Sequence, residues 1–250
     1  MTAGARLRGR RIIITGAASG IGRATARLFS QEGAALALVD LQKDSLEEIA
    51  AQTGGQALTV DLSDHEATRA VVAQAAQLLG GLDGVVNCAG ISGSCPLADL
   101  DQAAWDRMMA INLTAPYVVC RAALPFLQEA AAATIVNVAS GQALLPTAHG
   151  ISAYSASKAG LAAFTKALAF ELAPRIRANV IAPGIVQTPM VESVLGGYSN
   201  PDEAPFVAQY ALKRVARPSE LADAILFLTS GESSFVTGAL LAVDGGRTFH

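Results

Sequence analysis

The chain has 250 residues, 52% of them hydrophobic, which is enough for a sizeable core. Its formal net charge of −3, with the charges scattered, carries no basic footprint for nucleic acid. Apolar stretches are broken by Gly, Pro or charge short of the ~18 residues of a membrane span. The basic start MTAGARLRGRRIIITG runs straight into a glycine turn and lacks a signal-type segment, so the expected setting is the cytoplasm.

In chain order, RIIIT (11–15) reads as a buried strand and residues 20–33 as a helix closed by Gly33. LALVD (36–40) is a second strand, 45–54 a second helix, ALTVD (57–61) a third strand and 64–80 a third helix. LDGVVNCAG (82–90) reads as a strand running into a loop of small residues. A long helix over 101–129, a strand over 134–139, a helix over 153–173 and a strand over 176–182 follow, with a last strand in 239–246. Strand and helix alternate, which predicts one α/β domain over 1–250: a doubly wound, Rossmann-like parallel sheet with helices on both faces. Residues 188–217 break the alternation with the polar stretch GGYSNPDEAP and read as a substrate lid.

TGAASGIG (15–22) joins the first strand to the first helix. There Gly16 supplies a tight turn, Gly20 a backbone approach to pyrophosphate and Gly22 close helix–strand packing, and the helix amino terminus faces the phosphate. A tight turn alone would use the same glycines, but the strand–turn–helix setting favours a dinucleotide. Asp40, at the end of the second strand, can accept from the adenosine ribose hydroxyls or serve as a turn residue. It would repel a 2′-phosphate by ~4 kcal/mol at ~4 Å and an effective dielectric of ~20. Position 19 is Ser and position 41 is Leu, so no arginine stands ready to pair with that phosphate, and the expected cofactor is NAD. Asp61 reads as an adenine contact or as a turn residue. In NCAG (87–90), Ala89 and Gly90 let a flat cofactor lie on backbone, while Asn87 can fix the loop through hydrogen bonds.

YSASK (154–158) sets a phenol and an ammonium on one helix face. Ser140 ends the fifth strand at the carboxyl edge of the sheet, where such sheets bind ligands. Asn112, in AINLTAPY, is a poor helix former inside a predicted helix. A cation at ~4–5 Å supplies the ~3–4 kcal/mol needed to bring a tyrosine from ~10 toward neutrality.

This ordered set resembles the short-chain dehydrogenase/reductase family along essentially the whole chain, including PGIVQT (183–188) and VDGG (243–246). The resemblance implies that Tyr154 is the acid/base, that Lys158 lowers its pKa and holds the nicotinamide ribose, that Ser140 binds the substrate oxygen and that Asn112 anchors a water. It extends the cofactor-binding set to Gly16, Ser19, Gly20, Ile21, Gly22, Asp40, Asp61, Leu62, Asn87, Ala89, Gly90, Tyr154, Lys158, Pro183, Gly184, Val186 and Thr188. It also implies a homotetramer built partly on helices 101–129 and 153–173, with Leu161, Phe164, Leu168 and Leu172 at helical spacing. Two departures stand out. Cys88 takes a place usually held by asparagine, and 13 residues separate Ser140 from Tyr154, one more than is commonest. Loop 141–153 is expected to absorb the extra residue.

The leading expectation is an NAD-dependent oxidoreductase of secondary alcohols and ketones. Its rivals are an NADPH-dependent 3-oxoacyl-thioester reductase and a non-catalytic nucleotide-sensing or scaffold protein; a dehydratase or epimerase is a weaker third. Cys88, Cys95 and Cys120 form no disulfide framework and no zinc signature, and no metal site is expected. Trp105 reads as core. Gln142 and His149 read as substrate contacts or solvent-facing loop residues. Leu144, Leu145, Met190 and Val191 read as pocket or packing. His65 and His250 carry no catalytic signal.

Overall fold

The computed structural model describes residues 5–248, apart from the side chain of Ser193; His250 lies outside them. Seven strands form one parallel sheet in the order β3-β2-β1-β4-β5-β6-β7. They are β1 (Arg11–Thr15), β2 (Ala35–Asp40), β3 (Gln56–Thr59), β4 (Gly84–Asn87), β5 (Ala133–Val138), β6 (Ile176–Pro183) and β7 (Leu240–Val243). Helices α1 (Gly20–Gln31), α2 (Lys43–Thr53), α3 (His65–Leu79), α4 (Gln102–Met109), α5 (Ala115–Glu129) and α6 (Ser152–Leu172) provide the early crossovers; the short α7 (Glu192–Leu195) and α8 (Pro218–Thr229) follow β6.

Both faces of the sheet are covered because its strands are apolar on both sides. Ile12 and Ile14 pack with Phe29 of α1 and Ile225 of α8 on one face. Ile13, between them, joins Val72 of α3 and Val119 of α5 on the other. This is the period-two alternation of a strand buried twice over. The order reverses between β1 and β4, and in an open parallel sheet such a switch leaves a crevice at the carboxyl ends.

Several expectations change. The helix over 101–129 is not uniform: Ala110–Thr114 is π-helical between α4 and α5. Gln102–Glu129 is by length and composition apolar enough to cross a membrane, but Ala115, Val119, Cys120, Ala123 and Leu127 pack in the core with Val85 and Ile135. Trp105 is half-buried and outside the core, since only Met108 of α4 is buried. β3 ends at Thr59, because Asp61 starts a turn that accepts from the Asp64 N–H at 3.0 Å. Helix α8, which the sequence reading left without bounds, follows the interrupted segment. That segment folds on a small core of its own, with Leu195, Ala204, Val207 and Val215 buried together.

Candidate active site

The crevice between the ends of β1 and β4 is a cleft of about 280 Å³. Gly16, Ser19, Gly20, Ile21 and Gly22 form one wall, Asp40, Asp61 and Leu62 the far end, and Ala89, Gly90 and Thr188 the opposite side. Gly16 has φ +69°, and a Cβ there would meet the Ala89 N at 2.7 Å, so the turn admits only glycine. A Cβ on Gly22 would run into the Gly16 carbonyl. The bare backbone therefore forms a cradle that side chains would fill, ending at the amino terminus of α1, and this fits a dinucleotide pyrophosphate.

Asp40 does more than face the cleft. Its carboxylate accepts from the Ala18 N–H and from the Gln42 N–H, each at 3.0 Å, so it also braces the glycine loop. Asp61 accepts from the Ser63 N–H at 2.8 Å and the Ser63 hydroxyl at 2.7 Å, and these bonds hold its carboxyl below the usual range. It thus serves as a turn residue while lining the cleft. The sequence reading missed Arg107 and Ile111, which reach the cleft from α4 and the π-turn. Arg107 is the one cation lining it among the described residues.

Six expected cofactor residues stand outside the cleft lining: Asn87, Tyr154, Lys158, Pro183, Gly184 and Val186. Asn87 does not fix the following loop: its amide donates to Asn137 Oδ1 at 2.8 Å and to Cys120 Sγ at 3.5 Å. The reason is register, since Asn87 and Asn137 are paired across β4 and β5 and both point into the helical layer. The loop is held instead by the Thr15 hydroxyl, which accepts from the Ala89 N–H at 3.3 Å, and by Asn112. Pro183 ends β6, and Gly184 packs under Tyr210 and against Asp244. Val186 is buried at a bridge to Ala216.

Asn112 explains its own unlikely position. In the π-turn its Oδ1 accepts from the Ile91 N–H at 2.8 Å, and its amide donates to the Ile91 carbonyl at 2.9 Å and to Ser157 Oγ at 3.1 Å. Its amide also approaches Met108 Sδ at 3.0 Å. Ser157 in turn donates to the Tyr154 carbonyl at 2.7 Å. One side chain therefore ties the loop after β4 to the first turn of α6. Single-turn π segments recur at functional sites because they re-aim a side chain in this way.

Ser140 is 8% exposed at the end of β5, and its Oγ accepts from the Gln142 N–H at 3.1 Å. Tyr154, one turn into α6, is half-buried. Burial pushes its phenol above the ordinary value, and the neighbouring Ser140 hydroxyl pulls it back. Lys158 lies one turn further on and is 4% exposed. Its ammonium donates to the Val138 carbonyl at 2.9 Å, and burial pulls it down to about 8. Lys158 Nζ is thus held against β5. A Cβ on Gly90 would sit 3.1 Å from both Lys158 Nζ and Asn112 Oδ1, so the loop presses directly on the lysine. Cys88 lines the same cleft, and burial pushes its thiol up to about 12, leaving it protonated and inert.

Loop 141–150 forms a stapled turn. Gln142 Oε1 accepts from the Thr147 N–H at 3.0 Å, and Ser94 donates to the His149 carbonyl at 2.7 Å. Gln142 and His149 are thus held by loop geometry, and His149 is exposed.

The buried lysine makes stability depend on pH. Its amine titrates at 10.5 unfolded and about 8 folded, so between those values the unfolded chain binds more protons and stability rises with pH. Below pH 8 the full cost is present, up to about 3 kcal/mol. Lys158→Met is expected to raise the thermal midpoint at pH 7 by roughly 2–6 °C, and the gain should vanish near pH 10. Calorimetric scans at the two pH values test this; an unchanged or lower midpoint at pH 7 counts against it.

A doubly wound sheet with a glycine cradle at its switch point and a Ser–Tyr–Lys cluster at its carboxyl edge defines a nucleotide-dependent oxidoreductase. The chain belongs to the short-chain dehydrogenase/reductase family. A family model described as enoyl-(acyl carrier protein) reductase matches residues 16–248. The chain is 38% identical over 249 residues to a 3-oxoacyl-[acyl-carrier-protein] reductase of Thermotoga maritima, covering 96% of this chain and 98% of that one. It is 41% identical to a cis-4-hydroxycyclohexanecarboxylate dehydrogenase of Sinomonas cyclohexanicum, covering 94% and 95%. The crystal structure of a short-chain dehydrogenase/reductase from Brucella melitensis, titled glucose/ribitol dehydrogenase, superposes with a TM-score of 0.91 at 37% identity over 98% of this chain and 99% of that one.

Proposed function

We propose that the protein is an NAD-dependent oxidoreductase acting on a secondary alcohol or its ketone, with Tyr154 as general acid/base. The carrying observation is the Ser140–Tyr154 hydroxyl pair at the sheet's carboxyl edge, beside a cleft with Asp40 at its far end. In the oxidative direction Tyr154 takes the hydroxyl proton while the C–H electron pair leaves the carbinol carbon. Bound nicotinamide supplies the acceptor for that hydride. Ser140 holds the substrate oxygen, Lys158 stands behind the phenol, and Asn112 is a positioning residue through Ile91 and Ser157. A panel of secondary alcohols and ketones followed by NADH absorbance tests the reading. Binding of NAD without turnover of any member would favour the nucleotide-sensing alternative.

The Thermotoga relative supports a second reading, an NADPH-dependent 3-oxoacyl-thioester reductase. Asp40 and the exposed Leu41 beside it weigh against the 2′-phosphate. Three free cysteines suit a cytoplasmic setting.

The assembly is read as a homotetramer. Leu161 is 1% exposed, while Phe164, Leu168 and Leu172 are partly buried against the core and Phe164 packs edge-on to Tyr117 at 6.2 Å. Tyr117 is 45% exposed and Phe170, on α6, is 92% exposed, which makes Phe170 the side chain to change. Phe170→Glu is expected to lower the mass seen by light scattering below that of the unmutated protein with little change in thermal midpoint. An unmutated protein of 25.6 kDa in that measurement would defeat the tetramer.

A further inference from the structure

Three segments leave the carboxyl edge of the sheet where Ser140 and Tyr154 stand: the loop after β4, the loop between β5 and α6, and the segment after β6. The first two form one wall, because Ser94 donates to the His149 carbonyl and the Cys95 N–H donates to the Gly150 carbonyl at 2.8 Å. Asn112 fixes that wall to α6 through Ile91. The third segment meets the first across the dinucleotide cleft, since Pro189 and Met190 share its lining with Gly90 and Ile91.

These walls carry no cation. The chain has 18 lysines and arginines, and none falls in 88–106, 122–157 or 178–212. The cations that flank these stretches are committed elsewhere. Lys213 donates to the Ala208 carbonyl at 2.5 Å, Arg214 is forked onto Glu220 at 2.6 and 2.8 Å, and Lys158 is buried against Val138. Arg107 lies in the dinucleotide cleft, where its charge acts on Asp61. The one charged side chain of α7 is Glu192, an anion.

Apolar surface stands on the same segments. Leu97 is 78% exposed, Val194 50%, Leu144 and Met190 43% each, and Tyr198 38%. The polar groups among them are pinned, with Gln142 held to Thr147 and Ser94 to His149. A polyol would find few free partners there, and an anion would find no lysine or arginine.

We infer that the substrate is an uncharged, apolar alkyl or alicyclic secondary alcohol or its ketone, and that a carboxylate, a phosphate or the phosphodiester arm of a carrier-bound thioester is rejected. The inference rests on the oxidoreductase reading proposed above. Its physical basis is desolvation: an anion brought against these walls loses water and gains no counter-charge. The apolar groups gain from burial in the usual way.

The test uses matched pairs that differ only in charge: 4-oxocyclohexanecarboxylate and its methyl ester, and 4-oxopentanoate and its methyl ester. Reduction is followed by NADH absorbance, and binding to the NADH-loaded protein by calorimetry. The ester of each pair is expected to exceed the carboxylate by ~10²-fold in kcat/KM and to bind more tightly. Val194→Lys is expected to raise kcat/KM for the carboxylates by ~10-fold while leaving the esters within about threefold. Equal use of ester and carboxylate would overturn the substrate class and leave the reaction standing. Tighter binding of the esters without turnover of any would overturn the reaction and support the class. Neither binding nor turnover of any member would overturn both.

Discussion

Tyr154→Phe is expected to lower kcat by roughly 10²–10⁴-fold, the scale on which general acid–base catalysis contributes. The fold should barely notice. Ser140 keeps its bond from the Gln142 N–H at 3.1 Å, and Ser157 bonds the Tyr154 backbone rather than its ring. Binding of NAD, measured by calorimetry, should stay within about threefold, because Tyr154 is not among the residues that line the cleft. The pH profile carries a sign. Oxidation needs the phenolate, so its rate should rise with pH, whereas reduction needs the phenol and should fall at high pH. Burial sets the phenol high in the structure, so the oxidative limb should extend above neutrality. Near-full kcat in Tyr154→Phe on a verified substrate would remove Tyr154 from the chemistry.

The sheet was legible because strands buried on both faces are continuous apolar runs and the helices between them are long and amphipathic. The glycine cradle was legible too, since only glycine fits at Gly16 and Gly22 and their spacing is fixed by one turn. What could not be read is where side chains go once strands pair. Asn87 looked like a loop anchor; its pairing with Asn137 sends it into the helical layer. Asn112 showed the reverse: its low helix propensity was visible, but the π-turn that answers it depends on a partner, Ile91, 21 residues away in sequence. For Lys158 the i,i+4 spacing to Tyr154 is visible in the sequence, while the carbonyl on β5 to which its Nζ donates is not. Arg107 and Ile111 were unreadable as cleft residues, because α4 meets the crevice only after α4, the π-turn and α5 are laid beneath the sheet.

Cofactor choice tests the far end of the cleft. The unmutated protein is expected to prefer NAD over NADP by ~10–10³-fold in kcat/KM, the range left when ~4 kcal/mol of charge repulsion is screened by solvent and salt. The variant that reverses this must respect the second duty of Asp40. Alanine would remove the bond accepted from the Ala18 N–H and loosen the glycine loop for either cofactor. Asparagine in its place would keep an acceptor there and lose the charge, and the Gln42 N–H left over lies at an exposed turn where water can pair with it. Leu41 is 60% exposed and lines the cleft, so an arginine there buries nothing and presents a bidentate donor to the phosphate. The pair Asp40→Asn with Leu41→Arg is therefore expected to move the preference toward NADP by ~10²-fold or more. Dissociation constants for the two dinucleotides without substrate should move the same way, which separates recognition from turnover. Asp40→Ala with Leu41→Arg should weaken both dinucleotides as well as shift their ratio. Equal affinity for NAD and NADP in the unmutated protein would show that Asp40 serves the loop alone.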